Sequence, residues 1–231
     1  SGLPWFYGRS TSGGKLLDYD DIRTLEPTTK TKLISTVCST KQQKHTAHQL
    51  RFHFTRRLKQ VIPEMEIFGR GVQPIDDKAE ALNPYRFHLA IENHFAPHHW
   101  TEKLADSFLG FCLPIYAGCP NAADYFPQES FVTINPRDFD DSLSTIRRTL
   151  ENDQYKRRLP AIREARRLVL EKHNVFAVLS RTIEHLHQTG RTLTHSGSIL
   201  SRPAFWKAHP IFRFHCIAEK TMRFLKGYIN R

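Results

Sequence analysis

With 39% apolar and 25% charged residues over 231 positions, this chain has the composition of a globular protein, not of a disordered or fibrous one. No apolar run approaches the roughly 20 residues of a membrane-spanning helix. Thirty-four Lys and Arg against 23 Asp and Glu leave a net charge of +11, which calls for an anionic partner: nucleic acid, phospholipid or a phosphorylated ligand.

Residues 1–31 read as a connector. SGLPWFYGRSTSGG is rich in Gly and Ser and has no helical or strand period, yet Leu3 to Tyr7 are too apolar for a free linker and are expected to pack. Strands and helices then alternate. Residues 33–38 read as a buried strand. Residues 47–60 read as a helix with Leu50, Phe54 and Leu58 on one face. Residues 65–68 form a short strand ending at Gly69, 85–91 a strand, 101–110 a helix and 113–118 a strand. A turn or short helix over 120–126 leads to a strand at 131–135. Helices follow at 139–152, 155–172 and 174–188, the second with an interruption expected near Pro160, whose ring disfavours a helix interior. Residues 191–231 read as a basic helical tail. Its segment 202–231 carries seven Lys or Arg and one acid, interleaved with Phe205, Trp206, Ile211, Phe212 and Phe214. Such a face suits an anionic membrane surface or packing on its own protein.

Alternation of this kind implies a mostly parallel sheet with helices on both faces. Ligands of such sheets sit outside the carboxyl ends of the strands. The Asn93–Lys103 loop and the segment after Cys38 therefore fall at the expected binding edge. Cys38, Cys112, Cys119 and Cys216 form no C-x-x-C pair and read as buried thiols of a reducing compartment.

Ile91-Glu92-Asn93 ends an apolar run, and Thr101-Glu102-Lys103 opens an amphipathic one. A helix start offers free N–H groups and a positive dipole end, and an adjacent Lys completes a phosphate site. Glu102 could accept hydrogen bonds from sugar hydroxyls, and Lys103 could neutralise a phosphate. The plainer alternative is a capped helix with both side chains in water. Glu92 and Asn93 could likewise simply hold the turn. Arg51 suits bidentate contact with a pyrophosphate, but Arg56, Arg57 and Lys59 stand close by and spacing does not select it. His94, His98 and His99 crowd one loop. No acid or Cys completes a metal set there, so contact with a ligand or phosphate is the favoured reading. Asp76-Asp77 and Asp140-Asp141, with Asp138, do not directly follow apolar strands and read as solvated loop and cap acids. The chain has no P-loop and no G-x-S-x-G.

Several of these motifs occur in a fixed order. Tyr85 to Asn93 reads Y-[KR]-F-x-[LI]-x-[FI]-E-N, Thr101 to Leu104 reads T-E-K-[LI], Pro114 to Gly118 reads P-[IV]-[YV]-x-G, and Ser130 to Val132 reads S-F-[IV]. Upstream, Arg51, Phe54 and Leu58 fit R-x-x-F-x-x-x-L. The series, over about residues 31–155, resembles the donor side of glycosyltransferase family 10, the α-1,3/4-fucosyltransferases. The resemblance implies the Rossmann-like C-terminal half of a GT-B fold. Residues 32–190 would be the donor domain for GDP-fucose, and residues 1–31 the interdomain connector and the end of an acceptor domain otherwise outside this chain. It implies inverting transfer to a glycan hydroxyl with no cofactor or metal required, and no nucleic-acid partner.

Carried over by position, Arg51 and Lys103 would hold the pyrophosphate, Glu102 would contact hydroxyls of the nucleotide sugar, and Asn93 would shape the pocket. His99 stands where bacterial relatives often carry Tyr, and is read as a donor contact. The base is expected in the acceptor domain, so no catalytic residue is assigned in this chain, which begins with Ser1 and not Met. The expected setting is the bacterial cytoplasm at the inner membrane, building a surface glycan such as lipopolysaccharide. Two rival readings are the same scaffold serving another nucleotide sugar, and a catalytically silent module for anionic surfaces.

Overall fold

Five parallel strands carry the fold in the order β2-β1-β3-β4-β5. They are β1 (Lys32–Val37), β2 (Glu66–Phe68), β3 (Tyr85–Ile91), β4 (Leu113–Ala117) and β5 (Val132–Thr133). The computed structural model describes residues 5–14, 16–43, 46–151, 154–189 and 200–229. They fall into two compact units, Ser1–Arg181 and Thr182–Arg231.

The central strands are the most apolar because both their faces are covered. All five residues of β4 are buried, and in β3 only Arg86 is not. From β1 the chain runs through α2 (His48–Val61) to β2 on one side, then returns to β3 on the other. The sheet order thus reverses at β1, and a crevice opens there beyond the carboxyl ends of β1 and β3. From β3 the chain continues through α3 (Glu102–Leu109) to β4. Two 3-10 turns lead to β5, and α4 (Phe139–Glu151) and α5 (Gln154–Glu171) follow. Phe54 and Leu58 of α2, Leu104 and Phe108 of α3, and Ile162 and Val169 of α5 all reach the core. Phe108 meets Phe126 at a ring distance of 5.0 Å.

Pro160 does not interrupt α5, which is continuous from Gln154 to Glu171. The ring removes one N–H, but Pro160 is on the exposed side of the helix, as is Lys156 four residues earlier, so water can satisfy the freed carbonyl. The strand expected over 131–135 is shortened to Val132–Thr133.

A helix also lies where no period was visible: α1 (Tyr19–Thr24). Asp18 and Asp21 form its capping box, and its one buried residue, Ile22, is 0% exposed. The segment before it is held by acids. Asp76, expected in solvent, accepts hydrogen bonds from the Ser10 hydroxyl (2.5 Å), the Thr11 N–H (2.8 Å) and the Ser12 N–H (2.7 Å). Asp77 accepts the Gly8 N–H while capping the 3-10 turn Lys78–Ala81. Those hydroxyls and amides keep the Asp76 carboxyl well below its usual pKa, with the Ser10 hydroxyl foremost. Leu3 and Pro4, also expected to pack, lie outside the described residues.

All four cysteines are free thiols, with Cys216 half-buried and the others buried. Helix α6 (Val175–Gln188) has no buried residue. In the second unit, α7 (Arg202–Ala208) and α8 (Pro210–Ile229) meet through Phe205 and Phe212 at 5.4 Å. Residues 191–199 of the expected tail lie outside the described residues.

Phe108→Ala would leave a void between α3 and the Phe126 ring. We expect a loss of about 3–5 kcal/mol in chemical denaturation, with no change in the unfolding slope.

Candidate functional site

A cavity of about 270 Å³ occupies the crevice. Val37 and Ser39 line it at the end of β1, and Ile91 and Asn93 at the end of β3. His48 and Arg51 enter from α2, Gly69 and Arg70 from the loop after β2, and Glu102, Lys103 and Asp106 from α3. Lys41, Lys78 and His88 complete its charged and polar wall. Gly69 has φ +126, and a Cβ there would stand 3.1 Å from the Ser39 amide, so only glycine lets the two strand ends exit side by side.

Four of the five site residues read from the sequence meet here: Arg51, Asn93, Glu102 and Lys103. His99 does not line the cavity. Its ring packs edge-on against His94 at 5.7 Å. His98 turns the loop with φ 62 and hydrogen-bonds through its ring to the Tyr125 hydroxyl at 2.7 Å. The three histidines therefore do not converge, and no group of three metal-ligating side chains occurs among the described residues.

Glu92 organises the start of α3. Its side chain is 0% exposed. It accepts hydrogen bonds from the Thr101 N–H (2.8 Å) and the Thr101 hydroxyl (2.7 Å), and pairs with Lys103 Nζ at 3.3 Å. Thr101 in turn caps the helix by accepting the Lys103 N–H. A carboxylate with no water needs such partners. Gly118, at the exit of β4, leaves room for it: a Cβ there would come within 2.3 Å of Glu92 Cγ. Behind the loop, Trp100 is buried against Phe126 and His173, at 5.0 and 5.5 Å.

Glu102 faces two ammoniums, Lys103 at 3.2 Å and Lys78 at 3.9 Å. Burial works to raise its pKa, but Lys103 and then Lys78 oppose this and the net direction is down, so the group stays ionised. The cavity lining carries five cations, Lys41, Arg51, Arg70, Lys78 and Lys103, against two acids, Glu102 and Asp106. Two buried polar atoms on this wall, Arg51 Nε and Asn93 Oδ1, lack hydrogen-bond partners. A site with surplus positive charge, an unused guanidinium N–H and a helix start is chemically suited to phosphates.

On β3, Phe87 meets Tyr155 of α5, and alternation sends His88 to the opposite face. The Ser35 hydroxyl donates its hydrogen to the Ala81 carbonyl, so it must accept from His88 Nδ1–H. Burial, then Lys78 and Lys30, pull the His88 pKa down to about 3. The neutral ring leaves Nε2 as an acceptor. Ser39 and Lys41 belong to the segment after Cys38 that the sequence placed at the binding edge, whereas His48, Arg70, Lys78 and His88 were missed. For Arg70 the available signal was its place between two glycines after a strand, both with positive φ.

Residues 27–159, more than half of the chain, match the family model described as glycosyltransferase family 10 (fucosyltransferase) C-term. This chain belongs to glycosyltransferase family 10. Among curated relatives, it is 34% identical over 74 residues to the alpha-(1,3)-fucosyltransferase FucT of Helicobacter pylori, covering 32% of this chain and 16% of that protein. It is 39% identical over 59 residues to a fucosyltransferase-like protein of Arabidopsis thaliana, covering 25% of this chain and 12% of that one. The fold is also that of a solved α1,3-fucosyltransferase with GDP-fucose, with TM-score 0.51 and 21% identity over 73% of this chain and 50% of the other. The chain therefore spans half or less of the length of these relatives. Its architecture is the Rossmann-like α/β half of a GT-B glycosyltransferase.

Two histidines make this family-10 domain acid-sensitive. His88 and His173 have pKa values lowered from 6.5 to about 3 and about 4, in both cases chiefly by burial. The unfolded chain takes up protons below pH 6.5 that the fold refuses. The stability present above that pH is therefore lost as pH falls toward 4 and then 3. Thermal melts between pH 7.5 and 4.5 should show this slope, and His88→Asn should flatten it.

Proposed function

We propose that this chain supplies the donor side of a fucosyltransferase, binding GDP-fucose for inverting transfer to a glycan hydroxyl. The observation that carries the reading is the pair of unpartnered polar atoms, Arg51 Nε and Asn93 Oδ1, on the wall of a net-positive cavity at the sheet's switch point. In this reading the pyrophosphate bridges Arg51 and Lys103 at the start of α3. Asn93 shapes the pocket and Glu102 accepts hydroxyls of the nucleotide sugar.

The chemistry is a direct displacement. The acceptor oxygen attacks the anomeric carbon as the bond to the β-phosphate oxygen breaks, and the electron pair leaves with GDP. Arg51 and Lys103 stabilise the charge that gathers on that leaving group. We assign the base that takes the acceptor proton to no residue of this chain. The relative solved with GDP-fucose supports that nucleotide sugar as the donor.

Millimolar GDP should raise the Tm, since a ligand that binds only the folded state stabilises it by about 2.7 kcal/mol at one hundred times its Kd. Lys103→Ala should lose most of that rise. An unmoved Tm in GDP would sink the donor reading. A larger rise with UDP would point to another nucleotide sugar.

We also propose that the α7–α8 pair rests on an anionic membrane, at the cytoplasmic face of a bacterial inner membrane, where a lipid-linked glycan such as lipopolysaccharide would be the acceptor. Ile211, Phe214 and Met222 are 85, 74 and 58% exposed, among the basic residues of a segment with seven Lys or Arg. Apolar contact with the acyl boundary and charge attraction to headgroups then act together. In co-sedimentation, phosphatidylglycerol vesicles should retain the chain and phosphatidylcholine vesicles should not. Phe214→Asp and high salt should each release it. Equal retention on both vesicles would count against the role of charge.

A further inference from the structure

Lys78 lines the cavity, yet the donor reading gives it no task. It starts the 3-10 turn Lys78–Ala81, 23 residues before the family's T-E-K motif. Its Nζ lies 2.7 Å from Asp106 Oδ2 and 3.9 Å from Glu102 Oε1. It also stands 5.4 Å from the centre of the Phe6 ring. The Asp106 side chain is only 2% exposed. Its second oxygen, Oδ1, accepts the backbone N–H groups of Phe6 (2.9 Å) and Tyr7 (3.2 Å). Two of the three anchors of Lys78 are therefore tied to the segment ahead of β1: the Phe6 ring belongs to it, and Asp106 is clamped by its amides. That segment has its own fixing points outside the cavity, at Asp76 and Asp77.

The arrangement does more than neutralise Asp106. An ammonium held only for that purpose could face away from the cavity. This one shares the Glu102 oxygen Oε1 with Lys103, at 3.9 and 3.2 Å. A carboxylate with one oxygen held by two cations is both ionised and restrained in orientation. An acceptor of ligand hydroxyls needs both properties, because a misaimed or protonated carboxyl loses its directed hydrogen bonds.

We propose that Lys78 is a positioning residue for Glu102, and that Asp106 and residues 5–14 hold it in place, so that this N-terminal segment is part of the donor site without touching the ligand. The inference rests on the reading of Glu102 as the hydroxyl acceptor. It assigns Lys78 no contact with phosphate.

A double-mutant cycle on the full 231-residue chain tests it, with GDP and GDP-fucose titrated calorimetrically. Lys78→Met should weaken GDP-fucose binding on the order of tenfold in the wild-type background, and by almost nothing once Glu102→Gln is present. Lys78→Arg should restore most of the affinity. Asp76→Ala, which loosens the segment away from the cavity, should weaken binding in the same direction and to a smaller extent. Equal losses in both backgrounds would overturn the inference, because Lys78 would then act independently of Glu102. Unchanged binding by Lys78→Met would overturn it too. If Lys78→Met does not fold because Asp106 is left unpaired, Lys78→Met/Asp106→Asn takes its place in the cycle. A wild-type chain that binds neither nucleotide defeats the donor reading itself, whereas wild-type binding with additive losses defeats this inference alone.

Discussion

The Glu92 carboxylate is shut away from water at the end of β3, and the mouth of the cavity is arranged around its charge. A buried anion is tolerated only when its oxygens are hydrogen-bonded and a cation is near. The Thr101 amide and hydroxyl and the Lys103 ammonium meet that demand. Meeting it fixes the start of α3, which in turn aims Lys103 and Glu102 into the crevice. The absence of a side chain at Gly118 belongs to the same constraint. One buried charge thus links the last residues of β3, the first turn of α3 and the exit of β4.

A second layer of charge surrounds the first. Asp106 is buried as well, and it is satisfied from two directions: a lysine of the turn before β3 and two amides of the segment before β1. The cavity wall is consequently an alternation of cations and anions with cations in excess. Local charge here has the same sign as the whole-chain charge, but its arrangement is specific. The exposed charges of α5, such as Arg167 between Glu164 and Glu171, form ordinary surface pairs that contribute little.

How much of this could be read from the sequence depended on how local each feature is. Strand β3 and helix α3 were located to within a residue because an unbroken apolar run and a Thr cap mark them. Arg51, Asn93, Glu102 and Lys103 were found through a motif series, and the switch point between β1 and β3 is what brings them together. Helix α1 was invisible because one buried residue, Ile22, makes no period. Pro160 misled because the sequence does not say which face of α5 meets water. Lys78 and Arg70 reach the cavity through a crossover. His99 was assigned by its place in the family pattern, and its ring packs on His94 without lining the cavity. The acids at 76 and 77 resembled solvated loop residues because their partners lie more than 60 positions away.

The family resemblance starts at residue 27, but the folding unit does not. Ile22 is sealed within it, its carbonyl is taken by the Arg166 guanidinium of α5, and Glu26 pairs with Arg163. A boundary drawn at the first strand would therefore cut through a packed body. It would remove the amide donors of Asp106 and uncover the groove that Ile22 fills. What similarity between sequences defines as the domain is smaller than the packed unit. The difference is a stretch with little to mark it as sequence beyond its polar, glycine-rich composition, and whose place is set by the acids that receive it.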